Sequence, residues 1–202
     1  MEYNDVLKRE IPAGWKVKRL GEVLFNDIMA TEAGEHLRNL EYCPIDEIPM
    51  HQMSFAGGKP YTEANSSLQL YEIKDILIGA MRVYFHRCCI AAKPGITRTT
   101  TIVLKPFKKN HLAYLYQVCN EDKTFDFAMK VSNGTQQPYV TWKALSEYQF
   151  AYPNNEKIID VFCDKINSVI EKVLENEQEI QKFTALRDRL LPLLMNGQVE
   201  VK

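Results

Sequence analysis

The chain has 202 residues, of which 46% are hydrophobic and 25% charged, an ordinary composition for one large domain or one domain with an extended element. No apolar run approaches the ~20 residues that span a bilayer, and the N-terminal MEYNDVLKRE lacks the apolar stretch of a signal peptide. We therefore expect a cytoplasmic protein with no membrane partner. The formal net charge of −1 averages three unlike segments: residues 59–143 carry 12 Lys and Arg against 6 Asp and Glu, whereas residues 1–58 and 144–202 are acidic. The basic segment favours a polyanionic partner, although a chance spread of charge explains it equally well.

The sequence offers little that suggests a cofactor or a metal. It contains neither the GxGxxG pattern of dinucleotide-binding proteins nor the GxxxxGK[ST] pattern of nucleoside triphosphatases. The cysteines and histidines lack the paired spacing of zinc ligands, and we expect reduced, buried thiols rather than disulfides. These residues are Cys43, Cys88, Cys89, Cys119, Cys163, His36, His51, His86 and His111.

The first three quarters of the chain mix strand and helix patterns. β-branched and apolar runs bounded by Gly, Pro and polar clusters predict strands at 41–48, 68–73, 75–79, 85–92 and 99–105. Residues 109–132 have the pattern of two helices, and residues 133–145 form a loop that leads to a short strand and turn. The fold class is therefore α+β (mixed), with an α/β domain at 1–153.

A single long helix is predicted in residues 154–202. Asn155 can cap its N-terminus, Glu156 suits the first turn, and the helical pattern runs to about Leu191, roughly 50 Å at 1.5 Å per residue. Alternate steps of three and four residues trace a mostly apolar seam, which predicts a coiled coil. No second helix of that length is visible, so we expect a homodimer through this helix. The seam residues are Ile159, Phe162, Ile166, Val169, Val173, Asn176, Ile180, Phe183, Arg187, Leu190 and Leu194.

Five segments, taken in order, carry a family resemblance. They are REIPAGWKVKRLGEV, DILIGAMRVYFHRCCIA, GITRTTTIVLKP, NGTQQPYVTWKAL and the helix end LRDRLLPLLMNGQVEV. In this order, with the last segment at the end of the long helix, they resemble one half of the specificity subunit of type I restriction-modification enzymes. The resemblance covers about residues 7–201, but the chain holds one copy of a pattern that full-length members hold twice. It also has PNNEK where the family usually has P-x-x-E-Q.

The resemblance implies a non-catalytic protein without cofactors. A target-recognition domain of this family grips double-stranded DNA and reads one half of a split sequence, and the helix spaces two such domains in antiparallel pairing. The modification (methyltransferase) subunit docks on the specificity subunit, and the restriction subunit joins through it. Two identical halves are then expected to read an interrupted palindrome.

Two segments are the expected DNA contacts. In ILIGAMRVYFHRCCIA, basic and aromatic residues interrupt an apolar run, and the family places this segment beside the DNA cleft; arginine can clamp phosphates or pair with guanine. The glycine-led loop 134–137 can approach DNA closely, and glutamine can pair with adenine. Solvated charges at a strand end, core rings and an ordinary capping turn are the plain alternatives. The candidate residues are Arg82, Tyr84, His86, Arg87, Gln136 and Gln137, with Arg98, Lys109 and Lys130 for phosphates.

Two other functions stay open. Glu72 and Lys74 form an E-x-K pattern that a small Mg-dependent nuclease could use, although the supporting acidic residue is not in a suitable context. A stand-alone dimeric DNA-binding regulator is the second alternative, but no helix-turn-helix pattern supports it.

Overall fold

The computed structural model describes residues 1–134 and 136–198, and it confirms the mixed α+β class. Its helices are α1 (Leu112–Asn120), α2 (Asp122–Val131), α3 (Trp142–Leu145) and α4 (Lys157–Met195). Its strands are β1 (Glu2–Asn4), β2 (Arg9–Ile11), β3 (Trp15–Arg19), β4 (Leu24–Asn26), β5 (Met29–Thr31), β6 (Glu41–Tyr42), β7 (Ser54–Phe55), β8 (Lys59–Pro60), β9 (Leu68–Tyr71), β10 (Ile76–Gly79), β11 (Cys88–Ala91), β12 (Gly95–Arg98), β13 (Thr101–Pro106) and β14 (Gln149–Pro153).

The central sheet has the order β4-β13-β10-β11-β7 and is buried on both faces. Side chains alternate along a strand, so Ile76 and Ile78 of β10 face the helices, whereas Leu77 faces the opposite core. Cys88 and Cys89 divide between the same two cores for the same reason. The near-continuous apolar runs of β10 and β11 follow from this two-sided burial.

A second five-stranded sheet has the order β5-β9-β12-β6-β8, and two-stranded pairs β1-β2 and β14-β3 complete the described strands. The prediction for 41–48 was only partly right: β6 ends at Tyr42, and a 3₁₀ turn follows at Ile45–Glu47. The strand predicted at 85–92 begins at Cys88, because Val83–Phe85 forms another 3₁₀ turn.

The long helix is confirmed and runs further than predicted, through Met195. The Asn155 side chain accepts a hydrogen bond from the Lys157 amide at 3.2 Å, as expected of a capping residue. At 39 residues, α4 is roughly 58 Å long. None of the described helices is both long enough and apolar enough to cross a bilayer.

One face of α4 packs on its own domain, which corrects part of the predicted seam. Ile159, Cys163, Ile170 and Leu174 are buried in the main core, and Ile159 is only 1% exposed. Ile159 therefore fills its own chain's core and is not one of the exposed seam residues that we had predicted.

All five cysteines are buried and free, as expected of structural thiols. Burial raises the pKa of the Cys43 and Cys119 thiols to about 12, which keeps them in the unreactive thiol form at neutral pH.

Candidate nucleic-acid interface

The two segments predicted to contact DNA lie side by side. Met81 and Tyr139 form an antiparallel bridge, and the Arg82 amide donates to the Pro138 carbonyl at 2.8 Å. The Val140 amide donates to the Ala80 carbonyl at 2.9 Å. These backbone bonds join two segments that are 56 to 60 residues apart in sequence. We call the surface formed by residues 81–87 and 136–138 the loop face.

The first segment of the loop face is a tight turn with an unusual backbone. The 3₁₀ turn Val83–Phe85 lies between Arg82 (φ 51°) and His86 (φ 47°), both in the left-handed region. This conformation costs a non-glycine residue on the order of 1 kcal/mol, and such costs often mark functional sites. Buried Val83 anchors the turn, while Tyr84 is 53% exposed.

The two arginines of the turn differ in the contacts that they make with the described residues. The Arg87 guanidinium donates to the Asp46 carbonyl at 3.0 Å and to the Ile48 carbonyl. It also lies 5.3 Å from the ring centroid of Phe85. The Arg82 side chain is exposed and makes no hydrogen bond or ion pair with the described part of the chain. Arg87 thus holds the loop together, and Arg82 is free to bind a ligand.

A small cavity of about 180 Å³ opens on the loop face. Its walls combine two guanidiniums, an aromatic ring and an amide with the acidic residue Asp46, a mixture of donors and acceptors that suits a base edge. The lining residues are Ile45, Asp46, Met81, Arg82, Phe85, Arg87 and Gln137.

The second segment depends on a glycine. Gly134 has φ +91°, and a Cβ there would lie 3.2 Å from the Gln137 carbonyl oxygen, so a side chain would strain the turn. Gln136 and Gln137 are exposed beyond it. Thr135 lies outside the described residues.

His86 is not placed as predicted. Its side chain is buried, with Nε2 3.0 Å from the Asn120 carbonyl oxygen, and its ring stacks on Phe125 with centroids 3.8 Å apart. A ring held in this way cannot reach a DNA phosphate, so we remove His86 from the expected contacts.

The phosphate candidates are dispersed. Lys130 is exposed near the end of α2, just before the second segment of the loop face. Register places Lys109 elsewhere: Gly79 pairs with Thr101 and Ile76 with Leu104, so the residues that follow β10 and β13 leave the sheet at opposite ends. Arg98 is half-buried at the end of β12 and bonds the Ser66 hydroxyl at 3.4 Å. Of the three phosphate candidates, Lys130 is therefore the one that directly precedes a segment of the loop face in sequence.

The basic excess of residues 59–143 is partly neutralised by the acidic segments around it. Five of its 12 basic side chains pair with carboxylates from outside the segment: Lys59 with Glu47, Lys74 with Glu171, Lys93 with Glu41, Lys105 with Asp27, and Lys108 with Glu156. At most seven are left to meet a polyanion, fewer than the sequence suggested.

The E-x-K pattern does not form one site. Lys74 bonds Glu171 of α4 at 2.5 Å, whereas Glu72 bonds Lys105 at 2.6 Å. Burial raises the pKa of neighbouring Asp75 to about 6, and Lys105 lies 3.8 Å from its carboxylate. These charges satisfy one another in a structural cluster. No group of three or more potential metal ligands occurs among the described residues.

Sequence reasoning missed His51. It is exposed, and its ring lies 4.6 Å from that of His86. Nothing in its local sequence, PMHQMS, distinguishes it, because its neighbour is 35 residues away.

Comparison with known proteins gives a consistent result. No family model matches the chain. It is 27% identical over 215 residues to the type I restriction enzyme MjaIX specificity subunit of Methanocaldococcus jannaschii, covering 99% of this chain and 48% of that protein. It is 25% identical over 199 residues to the HindI specificity subunit of Haemophilus influenzae, covering 94% and 42%. Both of these similar proteins are type I restriction enzyme specificity subunits.

Solved structures agree at the level of the fold. The HsdS subunit from Thermoanaerobacter tengcongensis superposes with a TM-score of 0.61 at 19% identity, over 94% of this chain and 49% of that one. The type I S subunit from M. genitalium gives 0.56 at 11% identity, over 89% and 45%. The chain spans about half the length of the specificity subunits it matches.

Proposed function

We propose that this chain is a non-catalytic, sequence-specific DNA-recognition subunit of a type I restriction-modification system. Residues 1–153 act as the recognition domain, and residues 154–202 act as a spacer and dimer helix, of which 199–202 lie outside the described part. The observation that carries the proposal is the loop face, where free Arg82 and exposed Gln136 and Gln137 meet. Arginine and glutamine suit guanine and adenine edges in the major groove. Homology to specificity subunits supports the same assignment.

DNA affinity should depend on salt within a bounded range. Because at most seven basic residues of 59–143 are free of carboxylates, and each neutralised phosphate contributes about −0.9, the log–log slope should be negative but no steeper than about −6 per domain. Fluorescence anisotropy with a random-sequence duplex in increasing NaCl measures it. A slope near zero contradicts DNA recognition by this surface.

Lys130 and Lys109 form a matched pair that locates the interface. Lys130→Ala should weaken all duplexes alike and reduce the salt slope by about 1, because a phosphate contact carries no sequence information. Lys109→Ala removes the same charge at the opposite end of the central sheet and should change neither. The reverse pattern in the same anisotropy titration would move the interface to the other end of the domain.

We further propose that two copies pair antiparallel through α4. Beyond Gln181, which bonds Lys93 at 2.6 Å, the helix continues for about 20 Å with several apolar side chains in water. An apolar stripe of this length favours association. Over the whole of α4 the exposed seam residues are Phe162, Val169, Ile180, Phe183, Leu190 and Leu194, and the last three lie beyond Gln181.

One antiparallel register places the apolar residues of the two helices opposite one another. If Val173 faces Asn176 of the partner subunit, then Val169 faces the partner's Ile180 and Ile166 faces the partner's Phe183. The flanking Lys172 then lies near the partner's Glu179, an opposite-charge contact that symmetry repeats. An Asn at the centre of the seam helps to fix register at some cost in stability.

The same register fills an apolar groove. A cavity of about 530 Å³ lies beside the start of α4, and the partner's Phe183–Leu194 segment would reach it. Burial of these side chains would join the helix tip of one copy to the recognition domain of the other. The groove is lined by Trp15, Tyr114, Gln117, Pro153, Ile158, Ile159, Phe162 and Ile166.

Such a dimer would hold two identical loop faces apart on the paired helices, and each would read one half of an interrupted palindrome. The modification subunit, and through it the restriction subunit, would dock on this assembly. Co-purification of the chain with a methyltransferase subunit tests this, and it separates the proposal from a stand-alone DNA-binding regulator.

A further inference from the structure

We propose that His51 is a third base-reading residue and that His86 is the positioning residue that holds it. This inference rests on the proposed function, because it assigns residues of the same DNA interface. It replaces the expectation that His86 itself contacts DNA.

His51 is fixed in place by contacts with His86. Its amide donates to the His86 carbonyl at 3.3 Å, and the two ring centroids are 4.6 Å apart at an interplanar angle of 37°. Its backbone is in the left-handed region, with φ 54°. Three of the six non-glycine residues with positive φ in the described chain, namely His51, Arg82 and His86, therefore occur together here. Such clustering is a reason to suspect a functional site.

The His86 ring is itself held in place by three residues, Phe125, Asn120 and Asp122. Its ring stacks on Phe125 at 3.8 Å and 20°. Nε2 lies 3.0 Å from the Asn120 carbonyl oxygen and 3.1 Å from Oδ1 of the same residue. Nδ1 lies 3.5 Å from a carboxylate oxygen of exposed Asp122. With both nitrogens engaged and one ring face on Phe125, His86 is a rigid support for the exposed imidazole next to it.

The location of His51 fits the loop face. His86 closes the turn that Arg82 opens and that exposes Tyr84. The chain just before His51 reaches the same turn, because Arg87 bonds the carbonyls of Asp46 and Ile48. The segment 46–51 thus converges on the same turn as the loop face, and His51 is one of the exposed polar residues that it adds, together with Asp46.

A base is a better partner for His51 than a phosphate. The ring makes no hydrogen bond with the described residues, and its orientation is set in advance by the His86 ring and by its own backbone. Specific readout needs side chains whose geometry is fixed before binding, whereas long, mobile lysines can follow a phosphate. An imidazole presents a donor and an acceptor, which match the mixed pattern of a base-pair edge in the major groove.

Selection from a randomised duplex pool with the 202-residue chain tests the inference. His51→Ala should lose discrimination by about tenfold at one base pair, while the other positions and Tm stay unchanged. His86→Ala should lose the same position. His86→Phe keeps a ring beneath His51 and stacked on Phe125 but cannot bond Asn120, so it should retain the wild-type preference even if Tm falls.

Each alternative gives a different result. Uniform weakening of all sequences by His51→Ala means a phosphate contact and overturns base reading by His51. Loss of the position in His86→Phe, with no loss in His51→Ala, means that His86 reads the base. A wild-type chain that selects no consensus sinks the proposed function, whereas a wild-type consensus that survives in His51→Ala overturns only this inference.

Discussion

Val169→Glu should convert the protein from a dimer to a monomer. Val169 is 51% exposed, so the substitution costs the isolated chain little. In the antiparallel register it faces the partner's Ile180, and symmetry places the new carboxylate in the seam twice. Burying an unpaired charge costs several kcal/mol, enough to shift a dimerisation constant by two or more orders of magnitude at 1.4 kcal/mol per tenfold.

Sedimentation velocity at about 50 µM measures this effect at a concentration where a stable coiled-coil dimer persists. Ser168→Glu is the matched control, because it adds the same charge at an exposed neighbour outside the stripe. A wild-type chain that sediments only as a monomer contradicts the dimer, and a dimeric Val169→Glu variant contradicts this seam.

The register has its own test. Lys172→Glu should weaken the dimer by placing like charges near the partner's Glu179, and the added Glu179→Lys should restore it. Lys172 also pairs with Glu175 at 3.1 Å within its own helix. The effect of Lys172→Glu must therefore be measured both as loss of the dimer and as a change in Tm. Failure of the second substitution to restore association would exclude this register while leaving dimerisation itself intact.

The seam illustrates what sequence patterning can and cannot give. Apolar periodicity predicted α4 correctly, and Asn155 accepts a bond from the Lys157 amide as expected, because helical periodicity and capping bonds are local. The helix carries a second apolar stripe, however, through Ile159, Cys163, Ile170 and Leu174. Which stripe meets the domain and which meets solvent depends on the surface beneath the helix, and only the fold supplies that surface.

The strands also show what local sequence can and cannot predict. β10 and β13 were predicted because each is an unbroken apolar run, and the runs are unbroken because both faces of these strands are buried. β12 was missed because it reads Gly-Ile-Thr-Arg; its Thr97 hydroxyl is buried and donates to the Thr101 hydroxyl at 3.0 Å. A hydroxyl that finds its partner in the fold looks like a loop residue in the sequence.

At the candidate interface, sequence found the two segments but not their contacts. Arg82, Gln136 and Gln137 were recognised as polar groups out of place, and the fold brings their segments together. His86 is also a polar residue in an apolar run, but it is buried there because Asn120 bonds its ring and Phe125 stacks on it. Both residues lie more than 30 positions away in sequence. A buried histidine and an exposed one are alike until their neighbours are known.

Arg82→Gly should separate DNA binding from stability. The substitution removes the one guanidinium of the turn that has no partner among the described residues, and it places glycine where φ is 51°. Relief of left-handed strain, about 1 kcal/mol, is offset by the greater freedom of glycine in the unfolded chain. Tm should therefore be unchanged or slightly higher, whereas affinity for the selected duplex should fall by about tenfold or more, the effect of losing a bidentate base contact.

Lys8→Gly is the control for that experiment. Lys8 also has a positive φ, 50°, and is exposed, but it lies between β1 and β2, outside the loop face. It should give the same small change in Tm and no loss of affinity. Calorimetry and anisotropy on both variants decide the matter: a marked fall in Tm with unchanged DNA affinity in Arg82→Gly would make Arg82 a structural residue. The opposite pair of results is expected, because the Arg82 side chain makes no hydrogen bond or ion pair with the described residues and its loss should cost the fold little.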